Sequence, residues 1–223
     1  MAISAAGCTI AQTGTAVTLS GEAMTLSGGD TIAQITDTTK RVLDPSEAGL
    51  VLYDNGSPVS ATAYTVNWLF GKVTKNSGAF TGPMTISGAY LPRHTVAEAK
   101  AFELNVQADL ADVTTMSSST TAHARAKCLC QASGSVSGLD NLQTDLDSGG
   151  TTIKPWTDLG AGTRRVMSVQ FSDGTIFRAF VRFSGVKESA EVADVLNATL
   201  EWTSDAATGV TNTTAQSFAW STD

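Results

Sequence analysis

The residues best equipped for chemistry are few. The chain has two histidines, His94 and His123, and three cysteines, Cys8, Cys128 and Cys130. Nucleophilic catalysis needs a base beside its nucleophile. His123 and Cys128 share a helix face poorly at their spacing, and no Gly-x-Ser-x-Gly elbow is present. The plainer reading is a surface histidine and packed thiols. His123, Cys128 and Cys130 also offer metal-type donors. A structural zinc site wants four ligands at spacings near Cys-x2-Cys, and Cys128-Leu129-Cys130 is off that pattern. Asp145-Leu146-Asp147-Ser148-Gly149-Gly150 opens like a calcium loop. Trp156 stands where the closing glutamate belongs, so the segment reads as a turn with solvated carboxylates.

The remaining chemistries fare no better. No phosphate-binding Gly-rich loop precedes a helix. Basic clusters are limited to Lys40-Arg41 and Arg164-Arg165, which read as strand-end pairs rather than a nucleic-acid patch. Four tryptophans are candidates for a sugar-binding face, but Trp68 and Trp202 fall on apolar strand faces and point to core. Trp220 lies in the tail, where it can anchor to a neighbour. The expectation is therefore no active site, no metal and no cofactor.

Composition bounds the rest. The 223 residues are 42% hydrophobic and only 16% charged, with 14 Lys+Arg against 21 Asp+Glu, a net charge of −7. These values exclude a wholly disordered chain and a coiled coil. A compact acidic protein repels nucleic acid rather than gripping it. No apolar stretch approaches the length of a membrane-crossing helix. Met1 to Cys8 has neither a basic start nor an apolar core, so no secretory leader is expected. Three cysteines make no disulfide framework and read as reduced thiols. Ser and Thr make up about a quarter of the chain. Uncharged polar strand faces of this kind suit an assembly better than a free solvent surface.

The elements that must position these residues read as short strands. Thr15–Ser20 and Ala23–Ser27 are candidate strands, with a turn at Ser27-Gly28-Gly29-Asp30. Val51-Leu52-Tyr53 runs into Asp54-Asn55-Gly56, a two-residue hairpin signal. Thr65 to Phe70, Lys72 to Thr74 and Met84 to Tyr90 are further strands. Thr95-Val96-Ala97-Glu98 has the pattern of a capping box that opens a helical turn. From Lys100 to Gln107 the period is two: Lys100, Phe102, Leu104 and Val106 on one face, Ala101, Glu103, Asn105 and Gln107 on the other. Ala122–Gln131 is the best helix candidate by propensity, although it also alternates. Ala132–Gly138 reads as a strand of small residues whose glycines mark close approach of another backbone. Residues 140–163 read as a loop region. Arg165–Phe171, a turn at Ser172-Asp173-Gly174, Thr175–Phe183 and an alternating segment through Trp202 form an antiparallel meander.

Three stretches carry a resemblance. Ile35 to Thr74, Ala97 to Met116 followed by residues 132–138, and Glu188 to Asp205 resemble the major tail tube proteins of long-tailed, non-contractile bacteriophages. The order and combination are more specific than any piece. The resemblance implies a mostly β, single-domain chain: an antiparallel β-sandwich or half-barrel with one short flanking α-helix. Its inner sheet would complete a β-barrel between subunits. It implies hexameric rings that stack into a tube around a tape measure protein, with tail terminator and distal tail proteins as further partners. Assembly would take place in the host cytoplasm, and the product would be the tail of a virion. Viral DNA would pass through without sequence-specific binding. Residues 1–30 and 206–223 would be arms, and residues 31–75 a hairpin-rich extension for ring stacking. The resemblance includes no immunoglobulin-like C-terminal domain of the kind some relatives carry, so none is expected.

On that reading the polar sides of the regular strands are the lumen candidates: Glu103, Asn105, Gln107, Ser168, Gln170, Glu191, Asn197, Thr199 and Glu201. Asp54, Asn55, Gly56 and Trp68 are the ring-stacking candidates. A closing heterologous interface gives rings, and closure removes exposed strand edges. The competing class is a carbohydrate-binding or adhesin-like β module of a virion baseplate or cell surface, which would account for the Ser/Thr content and the tryptophans.

Overall fold

The computed structural model describes residues 8–13, 15–45, 49–99, 101–112, 125–139, 155–171, 173–191, 194–205 and 218–222. In chain order the strands are β1 (Cys8–Thr13), β2 (Val17–Ser27), β3 (Ile32–Ile35), β4 (Val51–Asp54), β5 (Ser57–Pro58), β6 (Tyr64–Asn67), β7 (Lys72–Lys75), β8 (Met84–Tyr90), β9 (Arg93–Ala99) and β10 (Ala101–Asp112). They continue with β11 (Arg125–Leu139), β12 (Arg165–Gln170), β13 (Thr175–Glu191), β14 (Asp194–Ser204) and β15 (Phe218–Thr222). Among the described residues one α-helix occurs, α1 (Pro155–Ala161). The fold is mostly β: two curled antiparallel half-barrel sheets and a short helix.

The seven-stranded sheet runs β5-β4-β8-β2-β3-β7-β6. Its turns follow the sequence. Asn55 and Gly56 both take positive φ, as a two-residue hairpin of the right twist requires. Asp54 fastens that hairpin by accepting hydrogen bonds from the Thr81 and Gly82 amides, each at 3.0 Å. The strand expected to reach Phe70 stops at Asn67. Trp68, Leu69 and Phe70 instead turn inward and are buried, and Gly71 (φ 57°) completes the turn. The strands between residues 31 and 75 all belong to this sheet.

The eight-stranded sheet runs β10-β11-β14-β13-β12-β1-β9, with β15 also on β13. It curls around an apolar interior of Ala132, Val136, Met167, Val169, Phe177, Ala179, Val181, Leu200 and Trp202. Phe102 on β10 reaches across this interior to Phe171 (5.9 Å between rings) and stacks on Trp202 (6.2 Å). The other, outward face is used twice. Around β12 and β13 it carries Val166, Ile176 and Phe180, which join the core of the seven-stranded sheet. Arg178, fully buried at this seam, donates Nη1 to the Leu69 carbonyl at 2.9 Å and lies over the Phe70 ring at 4.5 Å.

Several expectations are corrected. Residues 15–27 form one strand from Val17 rather than two pieces. Thr95–Glu98 lies inside β9, not a helical turn. The helix expected at 122–131 is β11 from Arg125 onward; eleven paired positions with β10 outweigh a fractional helix preference. The helix lies instead in the presumed loop region, at Pro155–Ala161. Proline suits a first helical position, and Gly162 (φ 62°) ends the helix. Asp158 on this helix grips Arg165 with two bonds of 2.8 and 2.9 Å, tying α1 to β12. Described residues of the presumed arms belong to sheets: β1 lies between β12 and β9, β2 between β8 and β3, and β15 lies on β13. His123, residues 113–121 and the acidic stretch 145–150 lie outside the described residues.

Candidate assembly surface

The strands β10, β11, β14 and β13 form a wall of long antiparallel strands. Their register decides which side chains share a face. Glu103 is opposite Ser135, which is opposite Glu201. Asn105, Ser133 and Thr203 form the next row toward one end, Ala101, Ser137 and Thr199 the row toward the other. Lys187 of β13 pairs with Thr199 and so extends that last row. The result is one continuous polar face on the outside of the curled sheet. It lies across the barrel from the strands that meet the seven-stranded sheet. Its charges are sparse and paired: Lys187 donates to Glu201, Arg182, level with Thr203, donates to Asp205 at 2.8 Å, and Ser135 donates to Glu103 at 3.3 Å.

This arrangement unites five of the lumen candidates: Glu103, Asn105, Gln107, Thr199 and Glu201. Gln107 pairs with Gln131 at the far end of the same face. Ser168 departs from the set. It is buried, accepting from Arg178 Nε at 3.3 Å, because its stretch of the outward face is covered by the second sheet. Gln170 is exposed but stands opposite Ile176, on that covered side and away from the wall. Asn197 pairs with Ser189 in the β13–β14 hairpin and Glu191 with Asp194; the side chains of Glu191 and Asn197 lie outside the described residues.

Two features escaped sequence reasoning. Ser133, Ser135 and Ser137 supply the centre of the wall, but small residues give no amphipathic signal. Lys187 gives no local signal either, because only pairing with β14 places it on the polar face.

The wall has two edges. Among the described residues β10 pairs on one side only, with β11. β13 pairs with β12 only from Ile176 to Val181, so beyond Arg182 its second edge carries no strand among the described residues. Long edges with exposed backbone donors and acceptors are templates for another strand. The order β10-β11-β14-β13 is antiparallel throughout, so β10 and β13 themselves run in opposite directions. Any copies joined through these two edges by rotation about an axis would therefore meet as antiparallel neighbours, whatever their number.

The stacking candidates divide. Asn55, Gly56, Ser57 and Pro58 are exposed at the tip of the β4–β5 hairpin. Trp68 is 2% exposed and belongs to the core. Of the tryptophans proposed for a sugar platform, Trp202 is buried as well. Trp220 is 45% exposed, stacked on Phe171 at 5.8 Å. Among the described residues no group of three metal-type donors converges, and no helix is long and apolar enough to cross a membrane.

No family model matches the chain, and no curated protein does. Among solved structures, the chain is similar to a chain in the virion of a native gene transfer agent particle. The identity is 16% and the TM-score 0.40, over 58% of this chain and 88% of the other. It is also similar to a chain in the tail of an empty gene transfer agent particle of C6 symmetry. Here the identity is 17% and the TM-score 0.39, over 51% and 82% of the two chains.

Proposed function

We propose that this chain is the structural subunit of a phage-type tail tube. Copies join edge to edge through β10 and β13, and the polar face of β10, β11, β14 and β13 lines the channel. The observation that supports this reading is a pair of open, oppositely directed edges flanking a continuous polar wall. A self-contained β module would cap such edges with its own strands, prolines or inward charges. The wall also sits on the opposite side from the seven-stranded sheet, which leaves that sheet for the exterior of a ring. Six copies per ring, stacking around a tape measure protein and contact with terminator and distal proteins are what the sequence resemblance implies.

The wall suits passage of DNA rather than its capture. Serine, threonine, asparagine and glutamine dominate it, Lys187 is engaged by Glu201 and Arg182 by Asp205. With few free cations there is little counterion release to hold a phosphate backbone. The glycan-binding alternative loses two of its four tryptophans to the core. No catalytic role is proposed.

Electron microscopy of the purified full chain tests the reading. Rings or hollow tubes are expected. Discrete monomers at every concentration and salt condition would overturn it.

A further inference from the structure

The register around the eight-stranded sheet contains a stagger with a sign. Arg182 is level with Asn105, through Thr203 and Ser133. Ile176 therefore lies level with Ala111. In the other direction around the sheet, Ile176 faces Gln170, Gln170 faces Thr9 and Thr9 faces Glu98. One circuit around the apolar interior thus arrives at Glu98 on β9, whereas the level position on β10 is Ala111, so the displacement is toward the N-terminal side along the chain. A twisted sheet is saddle-shaped: it bends toward one face along one diagonal and toward the other face along the other. Closure around opposite faces therefore needs staggers of opposite sign.

We propose that neighbouring copies join with β13 of one staggered about four residues toward the C-terminal end of β10 of the next, as barrel geometry requires, so that Lys187 stands opposite Asn105 of the next copy. This rests on the tube reading and adds to it the register of the junction. The sign follows from the polar face. A channel on that side demands the stagger opposite to the chain's own curl. In that sense the open edge from Gly185 to Glu191 comes alongside Gln107 to Ala101 of the next copy. In the other sense the same segment comes alongside β9, whose edge β1 already occupies. The open edges meet only when the polar face turns inward.

The size of the stagger has its own limits. Strands in barrels tilt by roughly 35–45°. With about 3.3 Å per residue and about 4.8 Å between strands, this is a little over one residue per strand, or about four for a four-stranded unit. Only an even stagger keeps polar side chains on one face. The next even value carries the junction into the irregularity of β10 between Ala108 and Leu110. The smaller one keeps it on the regular segment and sets the exposed Lys187 diagonally beside Glu103 of the next copy, within reach of a long side chain.

Paired cysteines test the register. Asn105→Cys with Lys187→Cys, oxidised in assembled particles, should give a ladder of covalent multimers, with each single variant as control for Cys8, Cys128 and Cys130. Ala101→Cys with Lys187→Cys, which would match a flush junction, should stay monomeric on the same gel. A ladder from the second pair, or from neither pair in intact tubes, overturns the register and leaves the tube reading standing. A wild-type chain that never assembles overturns both. Should a cysteine pair fail to assemble, helical reconstruction of wild-type tubes decides directly. Any residue other than Asn105 opposite Lys187 refutes the proposal.

Discussion

Gly134 and Glu103 come so close that a Cβ on Gly134 would overlap the Glu103 carbonyl oxygen and lie 3.0 Å from the Trp202 ring. β10 and β11 therefore approach at the centre of the wall only because residue 134 has no side chain. The expectation that the glycines of Ala132–Gly138 mark a close backbone approach is met at this position.

Gly134→Ala should consequently destabilise the subunit by about 3 kcal/mol, the upper part of the range for overpacking, since the obstructing atom belongs to backbone and cannot swing away. Urea unfolding of the unassembled chain measures this. Gly160→Ala provides the contrast: nothing lies within 4 Å of a Cβ there, so the alanine should be tolerated. Equal stability of the two variants would contradict the geometry.

The hairpin between β12 and β13 should respond to acid. Asp173 accepts from the Thr175 amide at 2.8 Å, and this bond holds its carboxyl below the ordinary 3.8. A lowered folded pKa means that the stabilising contribution is in place above the unfolded value and is lost as pH falls through the folded midpoint. Carbon-detected titration should place Asp173 below 3.8, with faster exchange of the Thr175 amide only once that midpoint is passed. A midpoint at or above 3.8 would contradict the bond.

If the wall lines a channel, a cation at its centre should retard DNA. Ser133 lies on β11, away from either junction edge, between Asn105 and Thr203. Ser133→Lys should allow tubes of normal form while slowing ejection severalfold, because each added cation restores a phosphate contact and its counterion release. The effect should shrink as salt rises. Unchanged ejection at low salt would place Ser133 outside the channel.

If rings stack through the β4–β5 hairpin, a change at its tip should block tube growth. Ser57 and Pro58 are exposed, and the bonds that fix the turn come from Asp54. Ser57→Glu with Pro58→Glu should leave a folded subunit, with rings in place of long tubes under electron microscopy. Tubes of ordinary length would remove this hairpin from the ring-to-ring contact.

Local chemistry made part of this protein legible without coordinates. The positive-φ turn at Asn55-Gly56, the strand Met84–Tyr90, the alternation of Phe102 and Leu104 with Glu103 and Asn105, and the burial of Trp68 and Trp202 each depend on residues near in sequence. Neighbour-to-neighbour periodicity reports such features directly. The absence of a catalytic constellation was an expectation of the same kind, drawn from the scarcity of histidine and the spacing of the cysteines.

Other features were settled only by pairing across the chain. Arg125–Gln131 has a helix-forming composition and became a strand because β10 offered it a partner. Ser168 alternates as regularly as Glu103, yet one is buried beneath a second sheet and the other is exposed; strand period cannot say which outward face will be covered. The open edges of β10 and β13, and the sign of the stagger between them, exist only once distant strands are in register. Sequence period fixes which side chains share a face, whereas the order and shear of strands depend on contacts far apart along the chain, and those contacts decide what the face is for.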